Sequence, residues 1–147
     1  MHFDIREATC DDAEDLANLA DQLGYPAQPE QMMNRLGGVD RATGRVFVAV
    51  AAGQAVAWIH VVLYCTLVTD HAAQLLGLVV DENWRGRGIG RALLEAAEAW
   101  ALEEGSDVMY IRSRITRLDA HAFYKDLGYR ELKTSLTFVK PLQRQSE

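Results

Sequence analysis

Three glycines in five residues, Gly86, Gly88 and Gly90, stand between an apolar stretch ending in Leu78-Val79-Val80 and an amphipathic stretch that begins at Ile89. Glycine weakens both helix and strand interiors, so a cluster of this kind specifies a loop. Downstream of it, Ile89, Leu93, Ala96, Ala97 and Trp100 recur at helical spacing, while Arg91, Glu95, Glu98 and Glu103 lie largely off that face. Upstream, Gln74 to Val80 carries apolar residues on both faces, as a central strand does. Val108 to Arg112 reads as the next strand. Strand, turn, helix and strand make a βαβ unit, whose crossover places the two strands parallel. This unit commits the chain to an α/β sheet protein.

The remaining residues add antiparallel elements. His2 to Glu7 alternates as a short strand. Thr9 can cap a helix bearing Leu16, Leu19, Ala20 and Leu23, which Gly24-Tyr25-Pro26 ends. Gln28 to Leu36 reads as a weaker helix stopped by Gly37-Gly38. Arg45 to Ala51 and Ala55 to Leu67 pair as a hairpin about Gly53-Gln54. Asp119 can cap a short helix carrying Phe123 and Leu127, closed by Gly128. Tyr129 to Leu132 and Leu136 to Lys140 read as two closing strands, with Pro141 ending the last. The expected order is β-α-α-β-β-β-α-β-α-β-β. One domain spans residues 2–141, followed by a polar tail, 142–147.

The turn also has a chemistry. Glycines let the backbone approach a ligand, and the helix start behind them adds unpaired N–H donors and a positive dipole end. Arg85, Arg87 and Arg91 flank it with no acid among them. A solvated charge run has no use for the glycines, and a structural turn has no use for the arginines, so the combination points to an anion site. It is not a Walker loop, because Gly90 is followed by Arg91 rather than Lys and Ser or Thr. It is not the dinucleotide fingerprint either: counting from Gly86 the third glycine is replaced by Arg91, and counting from Gly88 by Leu93. The 15 basic and 21 acidic residues leave a net charge of −6. That argues against a nucleic-acid binder. No apolar run spans a bilayer and no signal peptide opens the chain, and Cys10 and Cys65 build neither a disulfide framework nor a metal knuckle, so a cytoplasmic, metal-free protein is expected.

Arg85-x-x-Gly88-x-Gly90, preceded by Leu78-Val79-Val80 and followed by a helix, resembles the acyl-CoA pyrophosphate loop of the GCN5-related N-acetyltransferases. Ala120-His121-Ala122-Phe123-Tyr124-Lys125-Asp126-Leu127-Gly128-Tyr129 is similar to the family's second signature, Ala-x-x-Phe-Tyr-x-x-x-Gly-Phe/Tyr. The resemblance covers nearly the whole chain. It implies a mixed, mostly antiparallel seven-stranded sheet flanked by about four helices, with the fourth and fifth strands parallel and splayed. It implies that Arg85, Gly86, Arg87, Gly88, Ile89, Gly90 and Arg91 hold the pyrophosphate of acetyl-CoA. The pantetheine arm would pair with Leu78, Val79 and Val80, and the N–H of Val80 would face the thioester carbonyl as an oxyanion donor.

The resemblance places Tyr124 as the acid that meets the departing CoA thiolate. The acceptor half departs from the family pattern. Gln74 stands where some relatives carry a glutamate, and a glutamine is no base, although it can position water. Arg117 stands where an asparagine is common; it reads as a CoA-phosphate or acidic-acceptor contact, or as a solvated arginine. His60 reads as a sheet-face residue and His121 as a helix-surface one. Asp70-His71 is expected in a turn without a third partner, Cys65 as a buried thiol, and Trp58, Trp84 and Trp100 as packing residues. Tyr25 is expected to border the acceptor cleft. The expected activity is transfer of acetyl from acetyl-CoA to a small-molecule or peptide amine by direct attack in a ternary complex, with neither nucleic acid nor membrane as partner. A homodimer is a family-level expectation. The alternative is a non-catalytic acyl-CoA-binding module or sensor.

Overall fold

The computed structural model describes residues 2–145; Met1, Ser146 and Glu147, the last two within the expected tail, lie outside the described residues. Alternating or doubly apolar segments form β1 (Asp4–Glu7), β2 (Gly44–Ala51), β3 (Gln54–Thr66), β4 (Thr69–Val80) and β5 (Met109–Ile111). They make one sheet in the order β1-β2-β3-β4-β5. The first four strands are antiparallel, and β4 and β5 are parallel, as the βαβ unit requires. The β2–β3 turn lies one residue earlier than the sequence suggests: Ala52 and Gly53 both have positive φ, 52° and 77°, which is the turn geometry that suits two-residue hairpins.

The described residues form four α-helices: α1 (Ala13–Leu23), α2 (Pro29–Gly37), α3 (Ile89–Glu103) and α4 (Leu118–Asp126). Gly24 ends α1 in the left-handed conformation at φ 100°, and its N–H returns to the helix carbonyls. Leu16 of α1 packs with Val48 and Ala55, and Met32, Leu36 and Trp58 close around them. Ile89, Leu93, Leu94 and Ala97 give α3 its buried stripe. No described helix is long and apolar enough to cross a membrane.

The entry to α1 is fixed by charge. The buried Asp12 carboxylate accepts two bonds from the Arg6 guanidinium, both at 2.8 Å, and one from the Thr9 N–H at 2.7 Å. The Arg6 bonds, joined by the Thr9 N–H, hold the Asp12 carboxyl below its usual range. Its folded pKa is therefore lower than its unfolded one. The stabilisation is complete above the unfolded value near 3.8–3.9 and disappears as pH falls through the folded value. Asp12→Ala is expected to cost about 2 kcal/mol at pH 7, the usual range for hydrogen bonds to a charged group. Chemical denaturation of both proteins from pH 7 down to pH 2 checks this: the difference should shrink at the acid end.

One strand glycine is dictated by packing. A Cβ placed on Gly77 meets the six-membered ring of Trp58 at 2.8 and 2.9 Å. Gly77→Ala is expected to destabilise the sheet by about 1–3 kcal/mol, because Trp58 is packed against the α1 core and has little room to retreat. A shift in thermal midpoint measures it.

β4 begins at Thr69, so Asp70 and His71 lie on a strand and not in a turn; the turn is at Leu67 and Val68, both fully exposed. Among the described residues the sheet has five strands and not seven, because Tyr129–Leu132 and Leu136–Lys140 form no strands. Alternation predicts which face a strand would bury, but a strand exists only where a neighbour accepts its ladder of bonds. Here Leu132, Leu136, Phe138 and Val139 are exposed instead of lining a buried face. The chain divides into two compact units between Arg112 and Ser113. The first holds the sheet and α1 to α3; the second holds α4 and the extended segment that follows it.

Candidate functional site

In the first unit, β4 changes partner halfway along. Its antiparallel pairing with β3 shifts register between His60 and Val61: His60 faces Gly77 and Val61 faces Leu75, which leaves Leu76 as an extra residue. This is a β-bulge, and bulges bend the strand that carries them. The parallel ladder with β5 covers only Ala73–Leu75 opposite Met109–Ile111. It stops where the bulge begins. Beyond Leu75 the two parallel strands are no longer paired, so among the described residues β4 has no strand partner on that edge from Leu76 to Val80.

The hydrogen-bond parity of that edge follows from one contact. The Asp81 N–H donates to the Val56 carbonyl at 2.8 Å. Successive residues of an antiparallel strand turn their main-chain groups alternately toward and away from the neighbour. Val79 and Gly77 therefore bond toward β3, whereas Leu78 and Val80 direct N–H and C=O toward the side that β5 has left. An extended ligand carrying amides can pair there as an added strand. On this edge the Val80 carbonyl accepts from Arg85 Nε at 3.1 Å.

The loop follows directly. A short 3-10 turn, Glu82–Trp84, is capped by the Asp81 carboxylate, which accepts from the Asn83 N–H at 2.8 Å. Gln22, at the end of α1, anchors the same turn through the Glu82 N–H at 3.0 Å. Gly86 and Gly88 then adopt φ of 78° and 80°. The left-handed residues swing the backbone twice within three positions, and Gly88 is the N-cap of α3. The first-turn N–H groups of α3 have no intrahelical acceptors, no acidic residue occupies that turn, and the positive dipole end is therefore open to an anion. Arg87 stacks on the Trp84 ring at 4.7 Å, and Arg91 pairs with Glu95 at 3.0 Å. All three arginines are exposed.

Other candidates separate by position. Gln74 faces Val62 of β3 on one side and Tyr110 of β5 on the other. Tyr64 and Tyr110 approach to 6.4 Å between ring centroids. Burial pushes the His60 imidazole below its usual value, so it is neutral at pH 7. Cys65 is exposed, not buried, and so is Cys10. Tyr25 is exposed beside Pro26. Among the described residues no group of three His, Cys, Asp or Glu side chains could hold a metal ion.

In the second unit, Tyr124 lies on α4 with edge-on ring contacts to Phe123 at 5.4 Å and Tyr129 at 6.2 Å. Burial raises its phenol above the usual value and the Arg117 charge draws part of that back, so the group is a protonated donor at neutral pH. His121 Nε2 bonds the Arg114 carbonyl at 2.8 Å, which gives it a local structural partner.

The resemblance implied a splay at the end of the strand, by Leu78 to Val80, but not the residue at which it begins. The signal that could have located it is Gly77: an isolated glycine inside a strand often marks a bulge.

A family model described as "Acetyltransferase (GNAT) family" matches residues 10–129. An aminoglycoside N(6')-acetyltransferase type 1 of Stenotrophomonas maltophilia is 32% identical over 145 residues, covering 95% of this chain and 94% of that protein. Among solved structures, a transcriptional regulator from Bacillus halodurans C-125 superposes with a TM-score of 0.83 at 26% identity, covering 95% of this chain and 100% of that one. AAC(6')-Iy in complex with the bisubstrate analogue CoA-S-monomethyl-acetylneamine superposes with a TM-score of 0.83 at 20% identity, covering 97% and 100%, which is a likeness of fold.

Proposed function

The chain belongs to the GNAT acetyltransferase family, and on that premise we propose that it transfers an acetyl group from acetyl-CoA to a primary amine. The observation that carries this reading is the free β4 edge running into the glycine-rich start of α3. The loop N–H groups, from Arg85, Gly86, Arg87 and Gly88 through Ile89, Gly90 and Arg91, take the diphosphate. The pantetheine amides pair with the main chain of Leu78 and Val80, while Val79 stays tied to β3. The thioester carbonyl meets N–H donors that the bulge and split set free, with Val80 N–H among them.

The amine attacks the carbonyl carbon directly while both substrates are bound. The C–S bond then breaks and the electron pair leaves on sulfur. Tyr124 hydrogen-bonds or protonates that thiolate. A phenol near pKa 10 and a thiol near 8.5 make full transfer uphill by about 2 kcal/mol, which a transient step tolerates. Burial makes Tyr124 a weaker acid still, so hydrogen-bond stabilisation is the larger part of its role.

For the acceptor, an aminoglycoside-type amine is supported by the full-length similarity to the Stenotrophomonas maltophilia enzyme. The net charge of −6 favours a cationic acceptor through steering. A second reading, an acyl-CoA-binding module without turnover, is favoured by one observation: position 74 holds glutamine and no carboxylate. Thiol release from acetyl-CoA across a panel containing neamine, polyamines and peptide amines separates the two. Acetylation of any amine at rates well above hydrolysis supports the enzyme. Thermal stabilisation by acetyl-CoA with no thiol release across the panel supports the module.

A further inference from the structure

An amine of pKa near 10.4 is almost wholly protonated at pH 7, so a transferase needs somewhere to put that proton. Position 74, which faces Tyr110 beside the split, cannot take it. The sheet offers another group on the same face. Val62 is directly opposite Gln74, and His60 is two residues from Val62, so the side chains of His60 and Gln74 share a face as diagonal neighbours. Trp58, two residues further, contacts the place of a Gly77 side chain, which confirms that Gly77 and Trp58 lie on that face too. His60 is directly across from Gly77, next to the bulge at Leu76 where β4 leaves β5. Diagonal pairs on a sheet lie roughly 7–8 Å apart, a gap that one water bridges.

We infer that His60 is the terminal proton acceptor for the amine, reached through a water held by Gln74 at the mouth of the β4–β5 split. The inference rests on the transferase reading above. Three observations support it. His60 is only half-buried, and its ring nitrogens are not among the sealed, unpartnered polar atoms, unlike Trp58 Nε1. No described residue hydrogen-bonds the imidazole, so neither nitrogen is committed to a structural role. Desolvation keeps the ring neutral, which is the form that accepts. The protons balance: the ammonium loses one to the water, which passes one to His60. The freed amine forms the C–N bond to the thioester carbon and gives a tetrahedral adduct, whose collapse breaks the C–S bond. The second amine proton leaves as the adduct collapses and replaces the one the departing thiolate takes up, and His60 returns the first proton to solvent.

The test uses His60→Ala and His60→Phe in the full chain, with neamine, or whichever panel amine the wild type acetylates, as acceptor. The account expects kcat to fall roughly 50-fold in both, below the range for direct contact because water intervenes. The acetyl-CoA Kd should stay within about twofold, and added imidazole should restore His60→Ala severalfold but leave His60→Phe unchanged. A kcat within threefold of wild type, or a loss that imidazole does not relieve, overturns the inference. Loss of acetyl-CoA binding along with rate also overturns it, since it assigns His60 to the fold. A wild-type protein that binds acetyl-CoA but acetylates no amine overturns the transferase reading, and this role with it.

Discussion

Tyr124→Phe is expected to lower kcat about 1,000-fold, within the range for loss of a positioned acid–base group, while the acetyl-CoA Kd stays within about twofold. In the proposed mechanism, expulsion of CoA from the tetrahedral adduct puts a full charge on sulfur, and a phenolic O–H donated to it would remove part of that cost only as the bond breaks. An interaction made only then changes kcat and not binding. The ring itself packs edge-on against Phe123 and Tyr129, contacts that phenylalanine preserves. A fold defect is therefore not expected, and the thermal midpoint should move by less than about 2 °C, as for a change below 1 kcal/mol. Steady-state kinetics with calorimetric binding of acetyl-CoA reads both numbers. A rate within threefold of wild type would remove Tyr124 from the mechanism.

Gly88→Val tests the proposed diphosphate end of the site. Gly88 is at φ 80°, and a β-branched residue held there costs about 1–3 kcal/mol. A Cβ at this position meets nothing within 4 Å, so the penalty is backbone strain and not packing. The chain relieves it by leaving the left-handed region, which turns the loop N–H groups away from one another at the start of α3. On the proposed reading the diphosphate is held by those N–H groups, so acetyl-CoA affinity should fall about 100-fold, equivalent to about 3 kcal/mol. The strain falls on an exposed loop, and stability should change far less than affinity. Titration calorimetry and thermal unfolding on the same variant separate the two effects. Equal losses in both would mean that the loop is structural.

The parts of this molecule that could be read from its residues are those that a local rule determines. The glycine spacing, the apolar stripe of Ile89, Leu93 and Ala97, and the two-faced Gln74–Val80 run together require a parallel pair around a glycine-rich turn, and β4, α3 and β5 form it. Gly24 stops α1 because only a left-handed residue closes a helix that way. What could not be read depends on partners distant in sequence. Leu136 and Phe138 alternate like a strand, yet alternation carries no information about which neighbour will supply the ladder, and none does. Asp70 and His71 look like turn residues by composition, but pairing with β3 extends β4 through them. At the site, the loop was legible from glycine and arginine alone. The bulge at Leu76 and the proximity of His60 to Gln74 depend on register, which no single strand contains.

The most direct measurement is a crystal structure of the protein with coenzyme A. The account requires the diphosphate to accept hydrogen bonds from main-chain N–H groups between Gly86 and Arg91, and the pantetheine amides to pair with Leu78 and Val80 on the edge that β5 vacates. A cofactor whose diphosphate rests elsewhere, or whose arm runs outside the gap between β4 and β5, would contradict it.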